Sequence, residues 1–280
     1  MSEIKLSIPY DEYEAGVSMA DKLEELAGSP ESRNLTSLII GDWGGAYEND
    51  SSIVVETLVR FKDAFPSLRK LFIGDMSFEE CEISWIMQSN MAPLLEAFPE
   101  LQSFTVQGGT ELSFEPLVHD KLEELIVITG GLSSAAIGQI AAGRLPNLRK
   151  LELYLGVDDY GFDGGLDDVL PFMETGRFPE LTYLGLKNSE IQDDIAIAIS
   201  DAPVLLQLQT LDLSLGALTD KGAEALIGSA GVRRLDKLDL KYHYMSDEMI
   251  QRWQATGMNV DVSDKQEDED GDYRFPSITE

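Results

Sequence analysis

The stretch LQTLDLSLGALTDKGAEAL, residues 208–226, reads as one complete structural unit. Leu208, Leu211 and Leu213 have the spacing L-x-x-L-x-L, and Leu218 follows five residues later. Leu211 and Leu213 are two apart, so a short strand turns both to one face. Thr219 or Asp220 is placed to cap a helix whose apolar side carries Ala223, Leu226 and Ile227. Neither element is long enough to bury its apolar face alone, so the unit needs copies of itself stacked on either side.

Seven further cores supply them: NLTSLII, SLRKLFI, ELQSFTV, KLEELIV, NLRKLEL, ELTYLGL and RLDKLDL. The middle positions of the eight cores fall at 38, 71, 104, 125, 151, 184, 211 and 238, in steps of 21 to 33 residues. Phe-Pro or Leu-Pro precedes several cores (FPSL, FPEL, LPNL), where proline ends a helix and biases its neighbour toward extended backbone. This period is that of the leucine-rich repeat. The D-x-G-A run at Asp220, Gly222 and Ala223 resembles the ribonuclease-inhibitor-like subfamily of these repeats, although Gly216 stands where that subfamily has asparagine. Through GDWGGAYENDSS, ECEISWIMQS, YLGLKNSEI and HYMSDEM the chain is also similar to a group of bacterial cytoplasmic leucine-rich repeat proteins. That resemblance implies fold and compartment and supplies no catalytic residues.

The expected architecture is an α/β solenoid of about eight repeats, a horseshoe with a parallel sheet on its concave face and helices outside. Residues 1–33 are expected to cap it: Ile4, Leu6 and Ile8 alternate as a strand, and Met19, Leu23 and Leu26 have helical spacing. Repeats then fill 34–257, and Val260 and Val262 add a closing strand in 258–280, all as one continuous domain. The run QEDEDGDYRFPSITE at the C-terminal end reads as a solvated acidic tail, with the alternative that its less polar segment, residues 273–276, folds back onto the body.

The net charge of −30, from 51 acidic against 21 basic residues, disfavours nucleic acid and anionic membranes and steers basic partners in. One cysteine, Cys81, excludes an internal disulfide, and the N-terminal residues lack the pattern of a signal peptide. With no stretch near the roughly 20 apolar residues of a membrane helix, the expected location is cytoplasmic and the expected state a monomer.

Between the inward leucines, one outward column reads Ile39, Phe72, Thr105, Ile126, Glu152, Gly185, Asp212, Asp239. The next reads Gly41, Gly74, Gln107, Ile128, Tyr154, Lys187, Ser214, Lys241. The N-terminal half is apolar and the C-terminal half charged. Exposed apolar area marks binding, and Trp43 after the first strand is expected to rim it; the alternative is that caps or loops cover the patch and make Ile39, Phe72 and Trp43 ordinary buried residues. The partner-binding candidates are therefore Ile39, Trp43, Phe72, Ile126, Ile128, Tyr154, Tyr160, Lys187 and Lys241. A non-enzymatic scaffold for a protein or peptide, without cofactor, follows; its alternative is an acidic inhibitor masking a basic enzyme such as a nuclease. A third reading is a metal-dependent enzyme using Asp42, Asp75, Asp158 and Asp159, whose hard oxygens suit a cation such as calcium. His119 and His243 lie in different repeats, and no phosphate loop, nucleophile elbow or zinc spacing occurs.

Overall fold

The structure, a computed structural model, describes residues 2–268 and 274–279. The chain forms two compact units, one of residues 1–128 with 142–148 and one of 129–141 with 149–279.

The first unit opens with β1 (Glu3–Leu6), α1 (Tyr10–Glu14) and α2 (Met19–Gly28). Met19, Leu23 and Leu26 are the buried face of α2, and the Ser18 hydroxyl caps it by accepting from the Asp21 amide. There follow β2 (Ser37–Ile40), α3 (Ser52–Arg60), β3 (Lys70–Ile73), α4 (Ala92–Ala97), β4 (Ser103–Gln107) and β5 (Glu124–Ile128). The strands pair in parallel and in chain order. Register sets Leu38, Leu71, Phe104 and Leu125 in one row, and Ile40, Ile73, Val106 and Val127 in another. Both rows are buried. The pleat that turns them inward turns Ile39, Phe72, Thr105 and Ile126 outward as a half-buried row.

The second unit holds all but the last residue of α5 (Ser134–Ala142), then β6 (Lys150–Gly156), α6 (Leu166–Val169), β7 (Tyr183–Ser189) and α7 (Gln192–Ser200). It continues with β8 (Thr210–Asp212), α8 (Asp220–Gly228), β9 (Lys237–Asp239), α9 (Asp247–Ala255) and β10 (Val260–Asp261). These strands are again parallel, with Leu151, Leu184, Leu211 and Leu238 in one fully buried row. Thr219 caps α8 by accepting from the Lys221 amide, and Ser246 caps α9 by accepting from the Met249 amide. Asp193 of α7 accepts from the backbone of Thr219 and Gly222, so one repeat orients the next.

The C-terminal segment departs from the solvated tail expected of it. Asn188, fully buried and left-handed at φ 51°, donates Nδ2–H to the Ile278 carbonyl at 2.5 Å and accepts from the Ile278 amide at 2.8 Å. Pro276 is buried, and the Ser277 amide bonds the Leu215 carbonyl. The hydroxyls of Tyr242 and Tyr244 both donate to the Phe275 carbonyl. Acidic composition predicted solvation, but a buried amide side chain offers the backbone here a pair of hydrogen bonds that outweighs it. Tyr273 lies outside the described residues.

Candidate functional site

The loop after β2, Gly41–Asn49, folds onto itself. Asp42 Oδ1 accepts from the amides of Gly44 and Ala46, at 2.9 and 3.2 Å. The Trp43 indole donates to the Asn49 carbonyl at 2.8 Å and is only 3% exposed. Trp43 is therefore no rim residue: the turn that Asp42 caps tucks the ring into the core. Gly44 and Gly45 have φ of 106° and 69°, left-handed values that favour glycine. A Cβ at Gly44 would also stand 3.0 Å from the Tyr13 ring, so glycine lets that ring lie against the loop.

This folding leaves four aromatic side chains of the first unit exposed: Tyr10 67%, Tyr47 46%, Phe78 65% and Trp85 61%. They line two adjoining clefts. One, of about 290 Å³, lies among Tyr10, Tyr13, Tyr47, Asp42, Glu79 and Glu80. The other, open and of about 430 Å³, lies among Tyr47, Phe78, Glu80, Cys81, Glu82 and Trp85. Among the described residues no lysine or arginine forms an ion pair with Glu79, Glu80 or Glu82. Lys5, whose charge is felt at Glu80, is engaged with Asp75 at 2.9 Å. Glu80 is held ionised, below the usual carboxylate range, by the amide and hydroxyl of Ser77. Partial burial pushes Asp42 upward despite its amide donors, and the charge of Glu80 adds to the rise.

The same pleat positions in the second unit are occupied differently. Lys187, 8% exposed, places Nζ 3.1 Å from Glu152 Oε1 and 3.0 Å from Asp212 Oδ2. Lys150 reaches Glu152 Oε2 at 2.8 Å, and the Tyr183 hydroxyl donates to Asp212 Oδ2 at 2.5 Å. Lys187 also lies over the Tyr154 ring, and Lys150 over that of Tyr183. Gly185 makes the arrangement fit, since a Cβ there would stand 3.1 Å from Glu152 and 3.3 Å from Lys187. Burial opposes charge at all three sites, yet Asp212 and Glu152 hold the lysine above its ordinary range, and Lys187 holds both carboxylates below theirs. Lys187 and Tyr154, expected as partner contacts, are thus committed to each other and to these acids. Lys241 is exposed and Tyr160 half-buried.

The edge acids do not assemble. One oxygen of Asp42 is held by its own loop and Asp75 pairs with Lys5, while Asp158 and Asp159 are exposed in one turn, Asp158–Tyr160. Among the described residues no three His, Cys, Asp or Glu side chains are grouped to hold a metal. The Cys81 thiol is pushed up to about 11 by burial and by Asp42 and Glu82, which keeps it protonated. His119 and His243 make one pattern: Nδ1 accepts from the amide two residues on, and Nε2 faces a carbonyl, of Phe98 or Val262. That fixes the proton on Nε2, and burial lowers both rings' affinity for a second. No helix of the described residues is long and apolar enough to cross a membrane.

Of the exposed aromatics, sequence reasoning singled out none. They lie outside the leucine period, in α1 and in the long loops after β2 and β3. The available signal was Phe78 and Trp85 standing in an insertion that no repeat requires.

Parallel strands in leucine register, with helices carrying the buried faces between them, define a leucine-rich repeat protein. No family model matches the chain, and no curated protein does. A crystal structure of a Bacteroides fragilis protein, a structural-genomics target, matches with a TM-score of 0.92 at 36% identity, covering 99% of this chain and 77% of that one. The chain belongs to the same family as that protein. An internalin from Listeria monocytogenes aligns loosely, at a TM-score of 0.34 and 15% identity over 84% of this chain and 82% of its own.

Proposed function

We propose that the chain is a non-enzymatic binding scaffold that takes a basic peptide or protein segment on the aromatic, acid-rimmed clefts of its first unit. The observation that carries this is the grouping of Tyr10, Tyr47, Phe78 and Trp85 in the open beside glutamates that form no ion pair among the described residues. Such rings are the residues most often found to anchor interfaces, and exposing them together brings folding nothing. The half-buried row Ile39, Phe72 and Ile126, with Ile128 beside it, supplies further apolar surface in the same unit. The D-x-G-A run at the start of α8 supports repeats of the ribonuclease-inhibitor-like type.

Selection of random twelve-residue peptides displayed against the protein tests the reading. Peptides mixing basic and large apolar residues are expected, with binding at least tenfold weaker to a Phe78→Ala/Trp85→Ala variant. Peptides held equally by that variant would overturn it. The −30 charge favours one elaboration, an acidic inhibitor of a basic enzyme, for which binding would fall steeply as salt screens the charges.

A further inference from the structure

Resting on that reading, we propose that the smaller cleft of the first unit is a pocket for one arginine side chain of the partner. The cleft combines tyrosine rings with fixed carboxylates. Tyr10, Tyr13 and Tyr47 present π faces or edges, and a guanidinium stacks on such rings as well as being attracted to them. Asp42 and Glu80 lie in its lining. One oxygen of each is already fixed by its own loop: Asp42 Oδ1 by two amides, Glu80 Oε2 by the amide and hydroxyl of Ser77. The other oxygen of each is left for an incoming donor, and two separated acceptors suit a planar fork better than a single ammonium.

The walls are pre-built. The Tyr13 hydroxyl accepts from Asn49 Nδ2 at 3.3 Å, and the same Nδ2 donates to the Gly44 carbonyl at 3.0 Å. The ring against Gly44 and Gly45 is therefore held before any ligand arrives. Asp42 is moreover held in an uphill state, half-buried and beside a second negative charge, which a cation entering the cleft relieves. Among the described residues no internal lysine or arginine lines this cleft, so the charge is left to be met from outside.

The test is a titration of the intact protein with N-acetyl-arginine amide, following the backbone amide signals of Gly44, Gly45 and Tyr47 by nuclear magnetic resonance. Saturable shifts confined to this loop and to α1 are expected. N-acetyl-citrulline amide, the uncharged near-isostere, should bind at least tenfold more weakly, and the lysine counterpart several-fold more weakly. Asp42→Asn keeps an Oδ1 for the loop amides, and Tyr10→Ala removes an exposed ring; each should weaken the arginine compound several-fold, with the melting temperature unchanged for Tyr10→Ala. Equal response to citrulline, or shifts that grow without saturating across the acidic surface, would overturn the pocket. Phe78→Ala/Trp85→Ala should leave this titration within twofold. Loss of the arginine response with peptide selection intact removes the pocket alone, whereas loss of selection removes the broader reading.

Discussion

Glu152 and Asp212 of the second unit and Ile39 and Phe72 of the first occupy the same outward position of equivalent strands. In the second unit two buried acids are met by Lys187 and Lys150 from neighbouring strand positions, and Tyr183 completes the set. In the first unit the row is apolar, and Glu79, Glu80 and Glu82 in the loop after β3 form no ion pair among the described residues. One face is electrostatically complete and the other is not. Equivalent positions of one repeat pattern thus hold internal ion pairs in one unit and apolar side chains in the other.

The sharpest way to break that contrast is Lys187→Met. Removing the shared cation leaves Asp212 buried without its lysine and Glu152 with Lys150 alone, and a loss of about 3–5 kcal/mol is expected in chemical denaturation. A loss below about 1 kcal/mol would mean that water reaches both acids and the second face is open after all. Trp43→Ala should cost a comparable amount, about 3–5 kcal/mol, because a buried aromatic leaves a cavity and the Asn49 carbonyl loses its donor.

Deleting residues 274–280 is expected to cost about 1–3 kcal/mol, read as a lowered melting temperature, since Asn188 then keeps a buried amide without its main partners. An unchanged melting temperature would restore the solvated-tail picture for this unit.

The two histidines compare the units within one experiment. Each ring's affinity for protons is lower folded than unfolded, so their contribution to stability is complete above about pH 6.5 and is lost as pH falls through the lowered folded values. Denaturation between pH 7 and 5 should show this decline, and His119→Gln and His243→Gln should each flatten it. A slope untouched by either substitution would assign the decline to other groups. The smallest effect belongs to Trp85→Ala, expected to change stability by less than about 0.5 kcal/mol because the ring is 61% exposed. Set beside Trp43→Ala, it separates a ring kept for folding from one that folding does not use.

The strands were legible because an inward leucine every second residue is a local signal that the pleat translates directly. Every core of the pattern became a strand, β2 to β9, and the cap Thr219 sits where a hydroxyl precedes a helix. The ion network was only half legible. One outward column held Glu152, Gly185 and Asp212 and the next held Lys187, but the reach of Lys187 across the gap at Gly185 depends on strand register and lysine length together. Trp43 was misplaced because the preceding Asp42 closes a turn, a contact between residues two and four apart that apolar periodicity does not contain. Phe78 and Trp85 carry no periodic signal at all, and the docking of Ile278 joins residues 90 apart in sequence.

The three tryptophans give the molecule an optical consequence. Trp43 and Trp253 are shut away from solvent, at 3% and 0% exposure, while Trp85 stands in water on the wall of the larger cleft. Fluorescence from the first two is expected at shorter wavelength and beyond the reach of an aqueous quencher. The quenchable, long-wavelength part then belongs to Trp85. Filling the larger cleft would shift and shield that part alone, so the unlabelled protein carries its own emission signal for occupancy.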